Sequence, residues 1–132
     1  NLLAQHLASL DRFLLGLGVS HKPLVEGVRG LAYGPPAATM RTYLEKMAQA
    51  PYAGAGRELA PRTVIAALGP QMLKLARTHS DGAHPYFSSP SHTRAAREIL
   101  GPDKMLCVEQ KIILETDATR ARQLARAVAQ TY

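Results

Sequence analysis

The sequence predicts an α/β domain built on a parallel sheet, and three observations predict it. Apolar runs of strand length occur at residues 13–17, 63–68 and 82–87, and a fourth lies within 105–114. Amphipathic segments with the i, i+3, i+4 spacing of helices lie between and after them. The first run is nearly continuous rather than alternating, as in a strand covered on both faces. With one helix ahead of the first run, the order is helix, then strand–helix four times. That alternation implies parallel strands joined by right-handed crossovers.

Each element has its own reason. Leu2, Leu3, His6, Leu7 and Leu10 fall at helical spacing, and His6 reads as a packed side chain. Phe13, Leu14, Leu15 and Leu17 make the first strand, with Gly16 and Gly18 allowing a sharp turn or close approach of a ligand. Residues 22–35, rich in Gly and Pro, read as a long loop of the kind that serves function. Pro35 and Pro36 open a helix running to about Ala50, with Met40, Tyr43, Leu44 and Met47 on its apolar face. Pro51 and the run Ala53-Gly54-Ala55-Gly56 break it, and residues 57–61 connect across the surface. The second strand, 63–68, ends in Gly69-Pro70, and a helix from Gln71 to about Thr78 turns Met72, Leu75 and Ala76 inward. An Asp81-Gly82 turn leads into the third strand. Ser89-Pro90 reads as a cap followed by a first-turn proline, and Gly101-Pro102 ends that helix. The polar trio Glu109-Gln110-Lys111 is odd inside the fourth strand. Asp117 caps a last helix whose buried face is Ala121, Leu124, Ala125, Val128 and Ala129.

Composition narrows the function classes. At 132 residues the chain suits one domain, 1–132, with a modest core. It holds no apolar run of transmembrane length and no signal-peptide pattern, which speaks against a membrane protein. The single cysteine, Cys107, excludes an intrachain disulfide and fits a reducing cytoplasm; in an apolar strand it reads as a buried, inert thiol. Net charge is +6, but the cations are scattered and aromatic residues are only 5%, so no basic, aromatic-studded stripe for nucleic acid emerges.

Candidate chemistry gathers at the strand ends, where α/β folds place it. Ser20 and His21 follow the first strand. Gly16-Leu17-Gly18 begins like a dinucleotide fingerprint but lacks the third glycine. At Gly69-Pro70-Gln71 a strand passes straight into a helix, whose first N–H groups suit a phosphate. An ordinary strand–helix turn explains that spacing equally well. His84 and Tyr86 put an imidazole and a phenol near the third strand end, with packing of the histidine the plainer alternative. His79, His84 and His92 make no metal-ligand spacing, and no Gly-x-Ser-x-Gly elbow exists.

Taken in order, Arg-Phe-Leu-Leu-Gly-Leu-Gly-Val-Ser-His (12–21), Ala-Ala-Leu-Gly-Pro (66–70) and Asp-Gly-Ala-His-Pro-Tyr (81–86) resemble the bacterial luciferase-like superfamily. Within it, the likeness is to the deazaflavin (coenzyme F420)-dependent oxidoreductases. Val108-Glu109-Gln110-Lys111 and Glu115-Thr116-Asp117 extend it, so that it spans about residues 7–129. The resemblance implies a TIM (β/α)8 barrel with its cofactor at the carboxyl ends of the strands, and hydride transfer with the deazaflavin. An FMN-dependent monooxygenase of the same superfamily is the alternative. By this likeness Gly18 and Ser20 contact the cofactor, and Ala67, Leu68 and Gly69 with the helix start Pro70-Gln71 hold its tail and phosphate. His21 becomes the catalytic proton donor or acceptor, a task suited to an imidazole. His84, Tyr86 and Ser88 become contacts to a small-molecule substrate.

A full barrel takes about 250 residues, and this chain carries four strands. The expectation is a partial TIM barrel, with three strands missing upstream and one downstream. Its two open edges and bare inner face lead to the expectation of a homodimer. A non-catalytic α/β interaction module is the reading from a different class.

Overall fold

The computed structural model describes residues 14–51 and 62–130. The expected opening helix with His6, the Phe13 end of the first strand, and the glycine break and connection at 52–61 lie outside them. Among the described residues, β1 (Leu14–Leu17), β2 (Arg62–Ala66), β3 (Gly82–His84) and β4 (Met105–Leu106) form one sheet. All pairs are parallel and the order is β1-β2-β3-β4. Helices α1 (Pro36–Gln49), α2 (Pro70–His79), α3 (Pro90–Leu100) and α4 (Ala118–Gln130) alternate with the strands. Because the strand order never reverses, crossovers of the usual single hand leave the connecting helices on one face, and α1, α2 and α3 do share one core there. The result is a partial barrel-like α/β fold, an arc of strands with helices outside.

Side-chain alternation matches this layering. Leu17, Ile65, Ala83 and Leu106 stand in register across the four strands. They meet Met40 and Leu44 of α1, Leu73, Leu75 and Ala76 of α2, and Ala96 and Leu100 of α3 in one core. Ile65, Ala76, Ala83 and Ala96 are wholly inaccessible. The opposite, concave face carries Gly16, Val64, Gly82 and Met105 in one register row. At Gly82 the strands crowd together, since a Cβ there would overlap the Met105 carbonyl oxygen. Glycine is the residue this approach admits.

The amino ends of the strands are tied by polar bonds. The Thr63 N–H donates to Asp81 Oδ2 at 2.7 Å, and the Asp81 N–H returns to Thr63 O at 2.8 Å. Lys104 Nζ donates to Ser80 O at 2.6 Å, and Arg97 Nη1 donates to Lys104 O at 2.7 Å. Gly101, at φ 84°, closes α3. Proline occupies the first helical positions of α1, α2 and α3, where a missing N–H costs nothing. The caps at Ser89 and Asp117 both form: the Ser89 hydroxyl accepts from the His92 N–H, and Asp117 Oδ1 from the Arg120 N–H.

Several expectations are corrected. Residues 22–35 are not all loop, because Pro23–Val28 winds into a π-helical turn. β3 stops at His84: Pro85 has no N–H for the ladder, and Phe87 turns to φ 51°. β4 is two residues long; the Cys107 and Glu109 N–H groups still reach the Ala83 and Pro85 carbonyls, and residues 110–117 continue outside the sheet. Cys107 therefore follows a strand and is half-buried rather than buried. Tyr43 and Met47 are exposed, and no residue of α4 is buried, so Leu124 and Val128 meet solvent.

Candidate functional site

The carboxyl ends of β1, β2 and β3 open onto one cavity of about 750 Å³. Each strand delivers its part through the turn that follows it. After β1, Val19, Ser20 and His21 reach the rim; after β2, Ala67 and Leu68 lead into Gly69 and α2; from β3 come His84 and Tyr86. Tyr33, Pro36 and Ala37 close the side facing the π-helical turn. This volume lies within the 300–1,000 Å³ range of small-molecule and cofactor sites.

The local backbone explains how these groups are aimed. Ser20 sits at φ 61°, a left-handed conformation rare for a side chain with a Cβ, at a cost of order 1–3 kcal/mol. The Tyr33 hydroxyl donates to the Ser20 carbonyl at 3.1 Å and so pins this turn. The His21 carbonyl accepts from the Leu24 and Val25 N–H groups, which anchors the π-helical turn to the strand tip. The His21 side chain is left exposed at the rim. The Leu68 carbonyl accepts from His92 Nε2 at 2.8 Å. A carbonyl only accepts, so Nε2 carries the proton, and Nδ1 is buried with no partner among the described residues.

The cavity has apolar walls and neutral polar points. Val19, Ala66, Ala67, Leu68 and Met72 supply the walls; Ser20, His21, Tyr33, Gln71, His84 and Tyr86 supply the polar groups. No carboxylate, lysine or arginine lines it among the described residues. At its floor α2 begins. The first helical bond runs from the Leu73 N–H to the Gly69 carbonyl, so the Gln71 and Met72 N–H groups precede the ladder. A Cβ at Gly69 would meet nothing within 4 Å. That open cradle at a helix N-terminus fits an anionic group, and the flat apolar walls fit a ring system.

Of the residues singled out in the sequence, Ser20, His21, Ala67, Leu68, Gly69, Pro70, Gln71, His84 and Tyr86 come together here. Gly18 does not: its Cα packs against β2, where an added Cβ would lie 3.3 Å from the Ala66 Cβ, and it borders a small groove beside α1. Ser88 does not either. It lines a second cleft of about 650 Å³ between the β3 end, residues 109–113 and α4, with its hydroxyl buried and unpartnered among the described residues. Sequence reasoning missed Tyr33 and His92. An aromatic residue inside a Gly/Pro-rich loop was the available signal for Tyr33; the bond from His92 to Leu68 is long-range and left none. Among the described residues no cluster of three or more His, Cys, Asp or Glu is placed to hold a metal. No helix among them is long and apolar enough to cross a membrane. No protein-family model, curated protein or solved structure matches the chain.

Proposed function

We propose that this chain is part of a luciferase-like, deazaflavin-dependent oxidoreductase, acting on a small molecule in the cytoplasm. The observation that carries the reading is the convergence of three strand ends, at Ser20-His21, Ala67-Leu68-Gly69 and His84-Tyr86, on one apolar-walled cavity above the start of α2. When bound, the deazaflavin (coenzyme F420) supplies a ring carbon that accepts or gives hydride. The chain's own residues do the rest. Val19, Ala66, Ala67 and Leu68 shield a ring from water. The Gln71 and Met72 N–H groups hold a phosphate at the helix start. His21, on the pinned turn, moves a proton to or from the substrate. His84 and Tyr86 orient that substrate by hydrogen bonds.

Isothermal titration with the deazaflavin and, separately, with FMN tests the assignment. Deazaflavin binding that weakens tenfold or more in Gly69→Val supports it. FMN binding with no deazaflavin binding turns the reading to the monooxygenase of the same superfamily. Absence of binding of both cofactors by the complete parent enzyme overturns it.

A second reading has its own observation. Ile112, Leu114, Leu124 and Val128, all in the segment that follows β4, are exposed at 77%, 96%, 46% and 46%. Such a surface suits an α/β interaction module or a homodimer that covers it. Sedimentation velocity separates these from a monomer.

A further inference from the structure

The polar trio Glu109-Gln110-Lys111 is unexplained by any strand. Lys111 Nζ stands 4.8 Å from the centre of the Tyr86 ring, over its face. The same ammonium donates to Glu109 Oε1 at 2.9 Å. Tyr86 is part-buried and lines the main cavity, whereas Glu109 and Lys111 line the second cleft. The Tyr86 ring with Lys111 upon it is therefore a wall shared by the two spaces. Phe87, next along, packs at 6.4 Å between ring centres and faces the second cleft.

We propose that Lys111 is a specificity-determining residue: clamped by Glu109, it holds the Tyr86 ring as the partition between the cavity and the cleft beside α4. With the partition in place, a ligand whose ring occupies the cavity ends at Tyr86. With it loosened, an apolar tail on that ligand runs on into the cleft, whose far side is Ile112, Ile113, Ala125 and Val128. Three physical facts support the assignment. A cation over an aromatic face is attracted by the ring quadrupole, so the ring resists rotation away. Hydrogen bonds to Glu109 and Tyr86 favour the charged ammonium, so the clamp persists through neutral pH. And the partition stands between two spaces that each have room for several carbon atoms.

The experiment needs no cofactor, so its failure and the failure of the deazaflavin reading are distinct. The probes are para-alkylphenols from methyl to octyl, titrated calorimetrically into the wild type, Lys111→Ala, Lys111→Arg and Tyr86→Ala. Their ring and hydroxyl suit the apolar walls and the imidazoles, and their tails report length. In the wild type and Lys111→Arg, affinity should stop rising after the first few methylenes. In Lys111→Ala and Tyr86→Ala it should keep rising, up to about fourfold per methylene buried. The lysine side-chain protons give a second readout: in the wild type the Tyr86 ring current shifts them upfield, and Tyr86→Leu abolishes the shift. The same length dependence in all four proteins, no phenol binding to the wild type, or an unshifted lysine signal would each overturn the proposal.

Discussion

Two glycines at opposite ends of the sheet should answer the same substitution in opposite ways. Gly82 lies inside β3 against β4, and a Cβ there would sit 2.7 Å from the Met105 Cβ and 2.8 Å from its carbonyl carbon, closer still to the carbonyl oxygen. β4 has little freedom to retreat. The Met105 N–H is bonded to Asp81 O, and the Cys107 N–H to Ala83 O, each at 2.9 Å. Alanine normally gains about 0.5–1 kcal/mol over glycine in a regular element, but forced overpacking costs about 1–3 kcal/mol or more. With backbone as the obstacle, the upper part of that range applies, and Gly82→Ala loses about 2 kcal/mol net. With an m-value of about 1–3 kcal/mol/M, the urea midpoint falls by about 1 M at unchanged slope. At Gly69 φ is −78° and an added Cβ touches nothing, so Gly69→Ala leaves the midpoint where it was. Its methyl group projects at the cavity floor, so deazaflavin binding weakens instead. Equal midpoints for Gly82→Ala and the wild type would refute the close approach of β3 to β4.

The remaining predictions concern single bonds. Tyr33→Phe removes the hydroxyl that holds the Ser20 carbonyl; a loss of about 1 kcal/mol in a melt and a severalfold weaker deazaflavin affinity are expected. Asp81→Ala takes the carboxylate acceptor from the Thr63 N–H at the second position of β2 and should cost about 1.5–3 kcal/mol by urea titration, more than its exposed position suggests. Asp117→Ala uncaps α4, which has no buried residue to hold it; a drop in far-ultraviolet helicity, with the core transition unmoved, is the expected signature. Lys111 has its protonated form favoured by Glu109 and Tyr86, so its folded value lies above the ordinary 10.5. The contribution is thus complete below pH 10.5 and is lost as pH rises through the raised value, so wild type and Lys111→Met should converge in melting temperature only at strongly alkaline pH.

What was legible in the chain follows the range of the forces involved. β2 is readable because its apolar run is buried by helices close in sequence; β1 forms where its run predicts but is not covered on both faces, since Leu15 is buried while Leu14 is exposed. The Ser89 and Asp117 caps were readable because a cap is a three-residue event. β4 is shorter than its apolar run: Val108, Ile112, Ile113 and Leu114 look like strand residues, but an apolar run becomes a strand only where a neighbour offers backbone partners, and its one neighbour, β3, ends at His84. The buried face expected for α4 failed for the same reason, since periodicity states which side is apolar and not what covers it. At the site, the rim residues were readable because strand ends in a parallel sheet share one side. The sharp turn lies at Ser20 rather than at Gly16 or Gly18, and its left-handed residue is a serine held by a tyrosine thirteen positions away. No local pattern records such a bond, nor the cation that Lys111 sets over Tyr86.

The prolines that open α1, α2 and α3 have a thermodynamic corollary. Each fixes one backbone torsion in the segment leading away from the sheet, in the free protein as much as in any complex. Two of them, Pro36 and Pro70, border the main cavity itself. A guest arriving there meets a mouth whose contour is already set, so little of its contact energy is spent on ordering loops. Binding should accordingly show fast association and a heat-capacity change accounted for by the apolar surface it covers, without the excess that accompanies coupled folding.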